Sequence, residues 1–321
     1  MGLDLSNTLV IGISATALFD LSEADKIYKE KYNQNKEIAL NNYTKHMMEK
    51  ENEDLKDGTG MPLIKALLNL NKHNKDENEA PLVEVVVMSR NTPETGIQVF
   101  NNIRKRKLNI TRYAFTGGES VIDYLEAFDV DLFLTTNTKD AQRVRDANNC
   151  AVALVKEPPS DIEKIPQGQV RIAFDGDAVI FDESSELIYK EGGLSKFYTH
   201  EDNKQNEPMK EGPYASLLRK LSVLQDRLPF SVEYSPIRIA IVTARNAPAE
   251  MRVIKTLRAW NVYVDEIFFL GGVEKSKILR AFKAHIFFDD QDIHLDKTSN
   301  YIPSGKVPYQ SNSKLKNKNK R

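Results

Sequence analysis

One order of landmarks occurs twice in this chain, about 154 residues apart, and that repeat restricts the fold more than any other feature of the sequence. Phe115-Thr116-Gly117-Gly118 matches Phe269-Leu270-Gly271-Gly272. The same register, without a gap, pairs Leu125, Ala127 and Phe128 with Leu279, Ala281 and Phe282, and Phe133 with Phe287. Upstream it sets Gly58, Leu63, Ile64, Lys65, Leu67 and Leu70 against Gly212, Leu217, Leu218, Arg219, Leu221 and Leu224. Isolated apolar matches carry little weight. One register held across three separate blocks reads as a duplication.

Each copy runs strand, long helical and polar insertion, strand, helix, strand, helix, strand. The runs that end at Ser89 and Thr243 are apolar and β-branched and finish in a small polar turn, as a buried strand feeding a helix does. Alternating strands and helices predict an α/β protein whose parallel sheets are covered on both faces. At 321 residues the chain is long enough for two such domains. The copies are expected over residues 1–157 and 170–300, with a linker over 158–169 that holds Pro158, Pro159, Pro166 and Gly168. Residues 301–321 end in a lysine-rich, apolar-poor run from Ser311, which predicts a solvated, disordered basic tail.

Forty-five Lys and Arg against 46 Asp and Glu leave a formal charge of −1, which argues against a nucleic-acid polymer or a membrane surface as partner. No apolar stretch approaches the ~18 residues that span a bilayer. The single cysteine, Cys150, cannot close an intramolecular disulfide or build a cysteine zinc site, so a reducing, cytoplasmic location is expected. Association between copies of the chain is compatible with the sequence.

Chemistry concentrates in the second copy. The strand Val170-Arg171-Ile172-Ala173-Phe174 delivers Asp175-Gly176-Asp177, placing two carboxylates where open α/β sheets hold their ligands. Taken alone, Asp-Gly between apolar runs also suits a hairpin turn. Further strands end at Thr243 and at Asp289-Asp290, and a helix start carries Lys275 and Lys277. In a parallel sheet these ends meet on one edge. Two like charges ~4 Å apart repel by ~4 kcal/mol at an effective dielectric of about 20, so gathered carboxylates imply a cation. All-oxygen ligation beside a phosphate favours Mg²⁺ over zinc.

The ordered set Asp175-Gly176-Asp177, Thr243, Lys275 and Asp289-Asp290 resembles the four motifs of the haloacid dehalogenase superfamily of phosphatases. The longer strings, residues 174–179, 243–248 and 286–291, look more narrowly like the cytosolic 5′-nucleotidase type I family, and the first copy resembles that family's N-terminal region. The resemblance implies two tandem Rossmann-like domains, a duplicated haloacid dehalogenase-like fold, each with a small cap insertion. It implies that Asp175 attacks phosphorus and that Asp177 protonates the leaving oxygen. Thr243 and backbone N–H groups around Gly176 and Ala244 would hold phosphate, and Lys275 would offset charge. Asp175, the Asp177 carbonyl and Asp290 would hold Mg²⁺. Lys277 and Asp289 stay open as alternatives for the lysine and the last ligand. The implied activity is hydrolysis of nucleoside 5′-monophosphates, AMP or IMP foremost. Another small phosphomonoester, such as a sugar phosphate, is the alternative substrate, and a non-catalytic nucleotide-binding scaffold the alternative role.

The first copy lacks the reagents. Ser14-Ala15-Thr16-Ala17 stands where the second has Asp175-Gly176-Asp177-Ala178, Val121 falls opposite Lys275, and Thr135-Thr136 opposite Asp289-Asp290. That half is expected to be catalytically inactive, either binding an anion through Ser14, Thr16, Ser89, Thr135 and Thr136 or simply buttressing its neighbour. A cap is expected over residues 182–236. Within it Phe197 and Tyr198 could stack on a base or pack the cap, and a helix over 212–225 carries a leucine stripe suited to core packing. Arg245 and Asn246 could reach phosphate or ribose, or serve the helix start. His200 reads as a surface residue.

Overall fold

In a computed structural model of the chain, residues 4–33, 35–74, 80–160, 165–166, 168–228 and 235–318 are described. The first half supplies strands β1 (Leu9–Ile13), β2 (Phe19–Asp20), β3 (Lys56–Asp57), β4 (Val83–Ser89), β5 (Arg112–Phe115), β6 (Leu132–Thr135) and β7 (Ala151–Val155). The second supplies β8 (Val170–Phe174), β9 (Ile237–Thr243), β10 (Glu266–Phe269), β11 (Ile286–Asp289) and β12 (Ser304–Lys306). Leu9–Ile13 and Val83–Ser89 are buried along their whole length. Such runs, apolar apart from Glu84, which pairs with Arg112, and the terminal Ser89, suit strands covered on both faces, whose side chains find no solvent on either side.

The two halves repeat the same sheet. The order β5-β4-β1-β6-β7 in the first recurs as β10-β9-β8-β11-β12 in the second, and the bounds of β4, β5 and β6 recur 154 residues later in β9, β10 and β11. The α/β reading with parallel sheets therefore holds. Gly58 and Gly212, matched in that register, are both needed by close approach, since a β-carbon at either would come under 3.0 Å from backbone atoms of residues 17–19 or 179–181.

The halves do not form two separate sheets. Apart from β2 and β3, which form a small antiparallel sheet of their own, neighbouring strands within each half are parallel, but β12 and β7 pair antiparallel through Gly305↔Val155 and Lys306↔Leu154, giving one ten-stranded sheet. The strands of one half consequently point against those of the other. The carboxyl ends of β1, β4 and β6, with Ser14, Ser89 and Thr135, lie at the opposite edge from those of β8, β9 and β11.

Two expectations are corrected. The stretch 301–321 is not a disordered tail over its described part. β12 is the fifth strand of the second copy and fills the gap between β11 and β7, Val307 and Leu315 are buried, and Lys314–Lys318 is helical. Composition misled because backbone pairing, which is blind to side-chain charge, orders this segment; residues 319–321 lie outside the described residues. The region 182–236 is also not all cap. The helix Ala215–Arg227 buries Leu217, Leu218, Leu221 and Leu224 in the main core, leaving the helix Ser184–Asn203 as the insertion nearest the site. Linker positions 161–164 and 167 fall outside the described residues.

Candidate active site

β8 is pinned before it ends. Phe174 stacks on Phe288 of β11, ring centroids 5.5 Å apart, and the Asp175 N–H donates to the Phe288 carbonyl at 2.8 Å. β8 pairs parallel with β9 on one side and β11 on the other, so Asp175-Gly176 is not the turn of a hairpin. The chain instead turns tightly over Gly176–Ile180, with Ala178 in the left-handed region at φ 59° and the Gly176 N–H donating to Asp175 Oδ1 at 2.7 Å. Burial of the flanking strands thus aims Asp175 across the sheet edge at the end of β11.

Asp175, Asp289 and Asp290 are buried together, each offering an oxygen, and these oxygens lie within 4.8 Å of one another. Lys275 opens its helix and is buried between them, its Nζ 2.9 Å from Asp175 Oδ1 and 2.7 Å from Asp289 Oδ2. Lys277, two residues on, is exposed. Asp289 Oδ1 accepts from the Gln291 N–H at 2.8 Å. Asp290 Oδ2 accepts from the Tyr309 hydroxyl, whereas its Oδ1 is buried and has no hydrogen-bond partner.

One lysine does not balance three carboxylates. Burial pushes Asp175 up to about 6 against the pull of Lys275, with Asp289 pushing it further. Burial also raises Asp290 well above the carboxylate range, reinforced by Asp289 and Asp175. For Lys275, burial disfavours the charge, but Asp175 and Asp289 outweigh it and hold the amine above its ordinary value. Surplus negative charge, an all-oxygen donor set and an orphaned buried oxygen together fit a hard divalent cation.

Asp177 is placed differently. Its carboxylate takes a fork from Arg245, with Nε at 2.8 Å and Nη2 at 2.6 Å. Arg245 also reaches Glu201 of the insertion helix, 2.5 Å away, and Glu201 in turn accepts from Arg252 at 3.0 Å and Ser185 at 2.9 Å. The side chain of Asp177 is therefore not part of the three-carboxylate cluster. Phe197 is buried beneath the Arg245 guanidinium, 5.2 Å from ring centroid to carbon, and Tyr198 donates to Asn246 at 2.6 Å. Of the two roles open to Phe197, base stacking and cap packing, this contact belongs to the second, with arginine over one ring face.

Thr243, the last residue of β9, is buried, and its Oγ1 accepts from the Arg245 N–H at 3.3 Å. A β-carbon on Gly176 would sit 3.3 Å from that oxygen, so glycine keeps the two turns close. Ala244 and Lys275 border a cavity of about 180 Å³, with Gly272, Ser276 and His294. A larger cavity of about 680 Å³ lies at the seam of the halves, beside Arg145, Asp182, Glu183 and Tyr309, and none of the three clustered carboxylates lines it.

Glu201, Arg252 and Tyr309 went unnoticed in the sequence. The first two carry no local pattern, but the repeat register does lay residues 305–309 on the strand Ala151–Val155 and so marks the segment that carries Tyr309. In the first half Thr16 bonds to Ser14 and to Thr136, and Arg90 pairs with Asp140, so these hydroxyls satisfy one another. Among the described residues, the cluster around Asp175 is the one group of three or more potential metal ligands.

A family model described as 5′-nucleotidase matches residues 1–314. Cytosolic 5′-nucleotidase 1B of Homo sapiens is 34% identical over 297 residues, which are 90% of the chain and 47% of that relative, so the chain spans about half of the relative's length. No solved structure matches.

Proposed function

Because the chain belongs to the 5′-nucleotidase family, we propose that it hydrolyses nucleoside 5′-monophosphates, AMP or IMP foremost, to nucleoside and phosphate. The observation that carries this reading is Lys275 held between Asp175 and Asp289 beside the orphaned oxygen of Asp290. A scaffold has no need of buried, uncompensated carboxylates, whereas phosphoryl transfer needs charge neutralised at one point.

Asp175 Oδ attacks phosphorus, the bond from phosphorus to the ribose 5′-oxygen breaks, and Asp177 supplies the proton that oxygen takes. Water then attacks the aspartyl-phosphate, Asp177 receives its proton, and phosphate leaves with Asp175 restored. Asp177 is committed to Arg245 in the arrangement described, so substrate entry has to open that pair. Thr243 and the N–H groups at Gly176 and Ala244 hold phosphate oxygens, and Lys275 stabilises charge between nucleophile and phosphoryl group. Asp175 and Asp290, with the Asp177 carbonyl, would hold Mg²⁺, which supplies neutralisation of the phosphoryl oxygens when bound. Asn246, next to Arg245, is the candidate for ribose contact. The first half takes no part in the chemistry.

The relative's name says cytosolic, which supports a cytoplasmic site of action; no described helix is long and apolar enough to cross a membrane. Phosphate release from a panel of monophosphates, with and without chelator, tests the reading. AMP or IMP should be cleaved and chelator should stop it. Turnover confined to sugar phosphates would reject the substrate, and absence of turnover on every monophosphate would reject the enzyme.

A further inference from the structure

The segment that follows β12 is held by both halves. On the second half, the Val307 N–H donates to the Asp289 carbonyl at 2.9 Å. On the first, one helix, Thr138–Ala147, grips it on either side of Tyr309. Arg145 Nε donates to the Pro308 carbonyl at 3.1 Å, Gln142 Nε2 to the Tyr309 carbonyl at 2.9 Å, and Asp146 accepts from the Ser311 N–H at 2.7 Å. At the centre of this grip the Tyr309 hydroxyl donates to Asp290 Oδ2, and the other oxygen of that carboxylate is the orphan.

We propose that Tyr309 is a positioning residue for the cation. By occupying Oδ2 it fixes the rotation of the Asp290 carboxylate and leaves Oδ1 turned to the site. The half without reagents then has a definite task, which is to hold the segment that orients a ligand in the other half. The inference rests on the cation reading above. Partners behind a metal ligand that fix its orientation are worth roughly 10–100-fold in metal affinity.

The test is calorimetric titration of the full chain with MgCl₂ alone, comparing wild type, Tyr309→Phe and Gln142→Ala, with melting temperatures measured without cation. The expected result is Mg²⁺ binding about tenfold weaker in Tyr309→Phe, and weakened in the same direction in Gln142→Ala. Cation-free melting should be unchanged in Tyr309→Phe, and AMP turnover should return toward wild type when Mg²⁺ is raised. Wild-type affinity in Tyr309→Phe would overturn the inference and leave the cation reading standing. Affinity lost only in step with a lower cation-free melting temperature would assign Tyr309 to the fold and also overturn it. A wild type that binds no Mg²⁺ would remove the cation reading and this inference together.

Discussion

Asp175 works against the stability of its own surroundings. Its carboxyl is raised to about 6, so between the unfolded value near 3.8 and that figure the folded chain holds the proton more tightly than the unfolded one. Stability contributed there is present at acid pH and lost as pH rises through the window, which leaves ionised Asp175 a net cost at neutral pH. Asp175→Asn is therefore expected to melt roughly 5 °C higher without cation, by differential calorimetry at pH 7.5. The same variant should lose about a thousandfold or more in turnover of AMP. A variant less stable than wild type would contradict the charge balance. These residues were legible because Asp175, Thr243 and Lys275 each sit in a short string at a strand end or helix start. Glu201, Arg252 and Tyr309 were not, because each owes its place to a partner 19 to 51 residues away.

At the scale of elements, strand ends could be read to within a residue. β8, β9 and β11 finish at Phe174, Thr243 and Asp289 as expected, and His285, just before β11, is held to Arg171 of β8, its N–H donating to the Arg171 carbonyl at 2.8 Å and its ring bonding the Arg171 N–H. His285 Nδ1 accepts from that N–H at 3.0 Å, and burial, with the nearby Arg171 charge, pushes the imidazole down to about 4. Its contribution is present above pH 6.5 and lost as pH falls toward 4. His285→Asn keeps an acceptor without a titrating group, so in urea unfolding its stability relative to wild type should improve steadily from pH 6.5 to 4.5. A constant difference across that range would reject the assignment. The helix Ser184–Asn203 is tied to Arg245 and Arg252 by Glu201, which is buried. Glu201→Ala takes the carboxylate from buried Arg252 and leaves buried Arg245 with Asp177 alone, and should cost about 3–5 kcal/mol in denaturant unfolding; a loss under about 1 kcal/mol, the range of exposed pairs, would mean the network is solvated.

For the whole molecule, the repeat predicted two copies and their strand content, but periodicity inside a copy says nothing about which edges meet. The fusion through β7 and β12 was invisible for that reason, and a lysine-rich ending concealed a strand. Truncation after Pro303 would expose the edges of β7 and β11 together, and unpaired edges recruit other chains. The truncated chain should melt about 10 °C or more below wild type and self-associate in size-exclusion chromatography with light scattering; a stable monomer would show that β12 is dispensable.

The central claim is that one half performs phosphoryl transfer at one aspartate. Quenching the full chain during AMP turnover, reducing it with borohydride and mapping the peptides by mass spectrometry reads that residue directly. The account predicts reduction of an acyl-phosphate at position 175 and nowhere in residues 4–157. A trapped residue elsewhere, or none while AMP is being cleaved, would contradict it.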